Sequence, residues 1–207
     1  MTRQEEQNII ARVLAGDTDA FELLVRAHEK LVYNLTLRIL GNEQDALDAS
    51  QEAFFRAYRA LESFRADSKF SVWLYRLTSN VCLDMLRQRS RTGDPLSLTT
   101  DEGMELSLPD ERFDPETELE KKELRRAVQE GLQALEPAFR QALVLREING
   151  LSYEEIGQVM GLESGTVKSR IFRARRKLAA YLTASGNISA HKPSKDTGKG
   201  GAEREKL

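Results

Sequence analysis

The residues with the most chemistry to offer lie in the last third of the chain. The segment Leu151-Ser152-Tyr153-Glu154-Glu155-Ile156-Gly157-Gln158-Val159-Met160-Gly161-Leu162 opens on a capping box. Ser152 can accept from the amide of Glu155, while the Glu155 carboxylate reaches back to the cap. Gly161 suits the left-handed turn that ends such a short helix. A second helix opens near Ser164, and Val167, Ile171, Ala174 and Leu178 recur along it at the spacing of one inner face. Gly157 at the crossing, Gly161 at the turn and Val167 as a core plug stand where a helix-turn-helix needs them. Lys168, Arg170, Arg173, Arg175, Arg176 and Lys177 load the remaining surface with positive charge, and Glu163 alone opposes them just upstream. A basic run by itself is most often a solvated helix face. Together with the four motif positions it points to the major groove of duplex DNA. Ser164, Thr166, Lys168 and Ser169 would meet base edges or phosphates first, with Arg170, Phe172, Arg173 and Arg176 behind them.

The first half of the chain carries a different set. Between Arg56 and Arg91 the basic residues Arg56, Arg59, Arg65, Lys69, Arg76, Arg87, Arg89 and Arg91 face only Glu62, Asp67 and Asp84. Phe64, Phe70, Trp73 and Tyr75 are interleaved with them. Cations among aromatics are the ingredients of a single-strand surface, on which bases stack and phosphates are neutralised. The plainer reading makes the aromatics core, Trp73 and Tyr75 above all. The polar loop Arg65-Ala66-Asp67-Ser68-Lys69 is harder to explain as core, and it could rim a pocket for an extruded base. Upstream, Glu43, Asp45, Asp48 and Glu52 give one helix face a negative surface suited to a basic protein partner. The three-and-four spacing of Asp45, Asp48 and Glu52 could also hold a divalent cation, but no second acidic cluster on a neighbouring helix completes a shell.

Helices must position these residues. Phe21, Leu24, Val25, His28, Leu31, Val32, Leu35 and Ile39 mark one buried helix face, entered behind Gly16-Asp17-Thr18-Asp19 and closed at Gly41-Asn42. A second helix is expected from about Glu43 to Leu61, with Ala46, Leu47, Ala49, Ala53, Phe54, Ala57 and Leu61 inside. A third is expected from about Phe70 to Arg89, with Val72, Trp73, Tyr75, Leu77, Val81, Leu83 and Leu86 as its apolar positions. His28 reads as a packed residue, not a ligand. Periodicity fails from Gly93 to about Thr117, where Pro95, Pro109, Pro115 and a run of Asp and Glu indicate a flexible acidic linker. It resumes at Glu118. The fold class is therefore all-α, with an N-terminal domain over 1–92, the linker over 93–117, a helix-turn-helix domain over 118–185 and a disordered tail over 186–207.

Composition narrows the function. The 207 residues hold 31 Lys and Arg against 33 Asp and Glu, a net charge of -2, which argues against a protein that coats nucleic acid by bulk charge. One cysteine and two histidines, with no GxGxxG or GxxxxGK[ST] stretch, leave little for a metal site, a catalytic triad or a nucleotide cradle. The expectation is no enzyme, no cofactor and no metal. No apolar run approaches the roughly 20 residues of a membrane span, and the polar N-terminus lacks a signal sequence. A cytoplasmic protein is expected.

At Asp45-Ala46-Leu47-Asp48-Ala49-Ser50-Gln51-Glu52-Ala53-Phe54, Phe64-Arg65 and Trp73-Leu74-Tyr75-Arg76, the chain resembles the first domain of bacterial sigma factors. Leu151 to Ile156 and Gly165-Thr166-Val167-Lys168-Ser169-Arg170 resemble the matching helix-turn-helix domain. The size, and a linker where larger members carry a middle domain, are similar to the extracytoplasmic-function class of the sigma-70 family. The resemblance covers about Gln4 to Leu182. It implies an alternative sigma factor that binds core RNA polymerase through the clamp helices of the β′ subunit and the flap of the β subunit. Asp45, Asp48, Gln51, Glu52 and Phe55 would dock on the clamp helices. Arg65, Asp67, Ser68, Phe70, Ser71, Trp73, Arg76, Asn80 and Arg87 would read and melt the promoter −10 element, and the helix from Ser164 would read the −35 element. The acidic linker resembles the segment that threads toward the polymerase active-site and RNA-exit channels. A membrane-associated anti-sigma factor is the further partner implied. The rival from the residues alone is a conventional helix-turn-helix regulator, which binds duplex DNA without core polymerase.

Overall fold

The structure, a computed structural model, describes residues 1–65, 67–92 and 115–186, with backbone alone over 115–121. The expectations for most of the acidic linker and for the tail lie outside these residues. The described helices are α1 (Arg3–Leu14), α2 (Phe21–Leu40), α3 (Glu43–Arg59), α4 (Phe70–Thr92), α5 (Pro115–Gln133), α6 (Pro137–Glu147), α7 (Tyr153–Met160) and α8 (Ser164–Ala184), with short 3-10 turns at Thr18–Ala20 and Leu61–Ser63. No strand occurs among the described residues. Helical backbone resumes at Pro115, earlier than the expected Glu118, because the fixed φ of proline suits the first helical position.

Local chemistry sets the boundaries. Thr2 and Glu5 form a capping box at α1. Asp17 accepts from the Ala20 amide at 3.3 Å and starts the turn that leads into α2. Gly41, at φ 77°, ends α2 in the left-handed region, and Asn42 caps α3 by accepting from the Asp45 amide at 3.0 Å.

In α3, Ala46, Ala49, Ala53 and Ala57 form a stripe of methyl groups with no exposed surface. The stripe lets α3 lie close against α2 and α4. Into that layer α2 sends Leu24, Val32, Leu35 and Ile39, and α4 sends Phe70, Leu74, Val81 and Cys82. Thr36 crosses it, donating to the Ala46 carbonyl at 3.0 Å. Two expected core residues lie outside. Leu31 is 40% exposed and Leu47 is 47% exposed. Each sits one residue, about 100° of helix rotation, from a fully buried neighbour (Val32 and Ala46), so apolar character placed it inside where geometry does not. His28 is buried as expected, with Nε2 3.0 Å from Glu6 of α1.

The second domain builds its core from Leu143, Val144 and Leu145 of α6, Ile156 and Val159 of α7, and Val167, Ile171 and Ala174 of α8. This core is continuous with that of the first domain. We expect Ala53→Leu to destabilise the chain by about 1–3 kcal/mol, because three added carbons must fit where the helices already touch. Leu47→Ala should stay within about 0.5 kcal/mol. Urea denaturation followed by circular dichroism measures both.

Candidate nucleic-acid interface

The helix-turn-helix is locally determined. Ser152 Oγ accepts from the Glu155 amide at 3.1 Å, and the Ser152 amide donates to the Glu155 carboxylate at 2.8 Å, which completes the expected capping box. The bond from the Ser152 backbone, then Lys69, hold the Glu155 carboxyl below the ordinary carboxylate range. Gly161 takes φ 67°. At Gly157, a Cβ would stand 2.6 Å from the carbonyl oxygen of Leu162, so glycine is required by the turn backbone and not by the crossing helix. Val167 is fully buried as the plug.

The outer face of α8 divides in two. Arg175 Nε donates to Glu147 at 3.0 Å, and Lys177 reaches Glu136 at 2.6 Å while lying 4.6 Å over the Phe139 ring. Both therefore brace α8 against α6. Thr166, Lys168, Ser169, Phe172, Arg173 and Arg176 are exposed, while Ser164 and Arg170 are half-buried. Ser169 donates to the Thr166 carbonyl at 2.9 Å, and Ser164 sits 3.4 Å from Glu154. Phe172 is 60% exposed with the Arg176 guanidinium 5.9 Å over its ring. An exposed aromatic on a basic helix face is of a kind that can make an apolar contact with a thymine methyl. Sequence reasoning missed Tyr153. Its ring lies between Arg146 at 4.7 Å and Lys168 at 5.4 Å, which orients Lys168.

In the first domain the aromatics are core before they are surface. Phe70 is 2% exposed and contacts His28, Phe64 and Trp73, with ring centroids 5.3 to 5.5 Å apart. It cannot stack a base from that position. It packs beneath Trp73, which is 7% exposed and also touches Phe64. A cleft of about 470 Å³ opens beside Trp73, lined by Asp67, Ser68, Val72, Arg76 and Gln158, within the usual range for ligand pockets. Arg65, Asp67, Arg76, Asn80 and Arg87 are exposed, and Ser68 and Ser71 are half-buried. Asn80 lies beyond the cleft lining on α4, and Arg87 is bonded to Asp84 at 3.2 Å.

The acidic face of α3 is partly engaged within the chain. Asp45 is ion-paired with Arg89 of α4, and Glu52 holds Arg56 at 2.6 Å, which itself reaches Asp84. Asp48, Gln51 and Phe55 are exposed. Beside them runs an apolar groove of about 390 Å³ whose walls include Val25, Tyr33, Leu47 and Phe54. This side of α3 is thus apolar at its centre and acidic at its margin, an arrangement the charge pattern alone did not reveal.

Replacing the capping hydroxyl, Ser152→Ala, should cost about 1 kcal/mol and fray the start of α7. Amide exchange at Tyr153 to Glu155, compared with exchange in α6, reads this directly.

Two family models match in order along the chain: Sigma-70 region 2 over residues 24–92 and Sigma-70, region 4 over 125–178. The chain is 41% identical over 186 residues to the RNA polymerase sigma-H factor of Pseudomonas aeruginosa, covering 88% of this chain and 96% of that one. It is 39% identical over 176 residues to the ECF RNA polymerase sigma-E factor of Escherichia coli K12, covering 84% and 92%. Among solved structures it is similar to CnrH in complex with the cytosolic domain of CnrY, with TM-score 0.61 and 28% identity over 85% of this chain and 96% of that one. The sigma factor RpoE of Bartonella quintana, solved with the anti-sigma factor NepR, shares the fold at TM-score 0.60 and 21% identity over 79% and 96%. Two region models in their proper order, and relatives matched over nearly their whole length, place the chain in the sigma-70 family as an alternative sigma factor of the extracytoplasmic-function class.

Proposed function

We propose that the chain works in the cytoplasm as a non-catalytic specificity subunit of RNA polymerase, reading the −35 element with α8 and opening the −10 element with the loop and helix around Trp73. The observation that carries this reading is the presence in one chain of two unlike nucleic-acid surfaces. One is a basic helix of groove-fitting shape. The other is a cleft walled by Trp73 and lined by Asp67, Ser68 and Arg76. A conventional regulator needs the first and has no use for the second.

The residues then divide by role. Ser164, Thr166, Lys168, Ser169, Arg170, Phe172, Arg173 and Arg176 meet the −35 duplex. Asp67, Ser68 and Arg76 hold the edge and backbone of an unpaired base against Trp73, with Phe70 and Phe64 as its support and Asn80 and Arg87 tracking the strand beyond. Asp48, Gln51 and Phe55, with the groove at Leu47, dock on the clamp helices of the β′ subunit, and the second domain meets the flap of the β subunit. Asp45 and Glu52 steer and shape that face through Arg89 and Arg56. Melting without ATP requires that captured bases offset lost stacking. One stacked base is worth about 1–3 kcal/mol, against a mean of about 1.4 kcal/mol per duplex step. RpoE of Bartonella quintana, which shares the fold, was solved with the anti-sigma factor NepR, and an anti-sigma factor is the inhibitory partner proposed here.

Run-off transcription with purified core polymerase and promoter DNA tests the whole reading. Promoter-specific transcripts are expected only when the chain is added, and their absence would refute it. In the holoenzyme, Asn80→Ala should lower permanganate reactivity of thymines near the start site while core binding stays unchanged. Equal reactivity removes Asn80 from the melting surface. Arg173→Ala should cost roughly 1–3 kcal/mol on the cognate −35 duplex if it contacts a base. If it contacts phosphate, it should weaken all sequences alike and reduce the salt slope by about one.

A further inference from the structure

Two polar residues stand on the inner stripes of α1 and α2, where the helical pattern calls for apolar ones. On α1, Glu6 shares a face with Ile10 and Val13, both buried, at the four-and-three spacing. On α2, His28 takes its place among Leu24, Val32 and Leu35, which have no exposed surface. The two meet across the helix interface, with His28 Nε2 3.0 Å from Glu6 Oε1. A carboxylate can only accept, so Nε2 carries the proton and Nδ1 is the bare nitrogen. Nδ1 is buried and has no partner among the described residues. An apolar pair of similar volume would seal this interface without any dependence on a proton.

The imidazole also touches the aromatic group of the loop. Its ring centre lies 5.3 Å from that of Phe70, and Phe70 in turn lies 5.5 Å from Trp73. Trp73 forms one wall of the cleft, while Glu6, His28 and Phe70 do not line it. A chain of contacts thus runs from α1 through Glu6, His28 and Phe70 to Trp73. We propose that His28 is a positioning residue for Trp73: held by Glu6, its neutral ring seats Phe70 beneath the tryptophan, and its protonation loosens the stack. The functional half of this statement rests on the assignment of the cleft to unpaired promoter DNA.

The sign of the proton dependence follows from the surroundings of the ring. Protonation places a second N–H donor at Nδ1, where no acceptor stands among the described residues. That donor reaches water only if α1 and the ring part. The charges that act on His28 are Glu6 of α1 and the N-terminal ammonium, while α4 presents the neutral Phe70 ring. Burial pushes His28 below its ordinary value and outweighs Glu6, which acts the other way, and the ammonium adds to the lowering. The seated arrangement therefore binds fewer protons than the released one. Seating is complete above about pH 6.5 and is lost progressively as the pH falls below it.

Trp73 is the chain's single tryptophan, so its fluorescence reports the stack directly. The test measures acrylamide quenching from pH 8 to pH 5.5 in the full-length parent, His28→Gln, Glu6→Ala and His191→Gln. The glutamine amide can donate to Glu6 but takes no proton in this range. His191 is the chain's other histidine, and its replacement is the control for titration elsewhere. The parent and His191→Gln should quench weakly at pH 8, with a quenching constant that rises at least twofold toward pH 5.5. His28→Gln should stay low throughout, and Glu6→Ala should be at least twofold higher already at pH 8. Quenching of the parent that does not change with pH, or a His28→Gln chain that titrates like the parent, overturns the assignment. So does a rise that coincides with loss of helical circular dichroism, which is unfolding of the whole domain. If Glu6→Ala has lost helix at pH 8, the pH profile of His28→Gln decides alone. In the holoenzyme at pH 8, Glu6→Ala should lower permanganate reactivity of thymines near the start site, and His28→Gln should lie close to the parent. Equal reactivity in Glu6→Ala despite stronger quenching refutes the assignment of the cleft to unpaired DNA and leaves the seating of Trp73 standing, because the fluorescence needs neither polymerase nor promoter.

Discussion

The C-terminal end of α2 is the point on which the molecule turns. A helix that stops at a left-handed glycine presents a cluster of carbonyl oxygens and the negative end of its dipole. Here those oxygens face not water but the side chains of Gln129, Gln133 and Arg140. A cation at that end is favoured by the dipole as well as by the hydrogen bonds, which explains why arginine is tolerated there at 3% exposure with no carboxylate bonded to it among the described residues. Because α2 also carries Leu24, Val32, Leu35 and Ile39, the same helix organises the first core and receives the second domain.

How much of this was legible in the sequence depended on how local the cause was. The helix-turn-helix could be read almost residue by residue, since Ser152, Glu155, Gly161 and Val167 act within a few positions of one another. The α2 boundaries were legible for the same reason. The exposure of Leu31 and Leu47 was not, because a periodic pattern tolerates an apolar residue at its edge and only the packed neighbours fix the rotation of the helix. Arg38, Gln129 and Arg140 were the least legible. Polar residues on amphipathic helices read as solvent-facing, and their partners lie some ninety to a hundred positions away. Phe70 shows the converse error, a ring grouped with surface aromatics that is in fact the support beneath one of them.

The aromatic group at the loop illustrates how a small helical domain can hold a ring in a fixed orientation. Phe64 and Phe70 meet edge to face at 5.5 Å, an arrangement favoured by their quadrupoles. Trp73 rests against both. Its orientation is therefore fixed before any ligand arrives, and little rotamer entropy remains to be lost on binding. His28 and Glu6 extend this support back to α1, so the N-terminal helix, which carries no assigned recognition residue, contributes to the rigidity of the site.

The alanine stripe of α3 has a consequence of a mechanical kind. Its outer side carries Asp48, Gln51 and Phe55, while its inner methyl groups rest on the helix that bears Trp73 and Arg76. Asp45 and Arg89, and Arg56 and Asp84, pin the edges of the same pair. The side of α3 that bears Phe55 and the side of α4 that bears Arg76 are thus two ends of one closely packed strut, spaced by alanine methyl groups. Wherever a larger assembly anchors the first end, the position of the second is already decided to within side-chain dimensions, with no hinge between them to absorb an error.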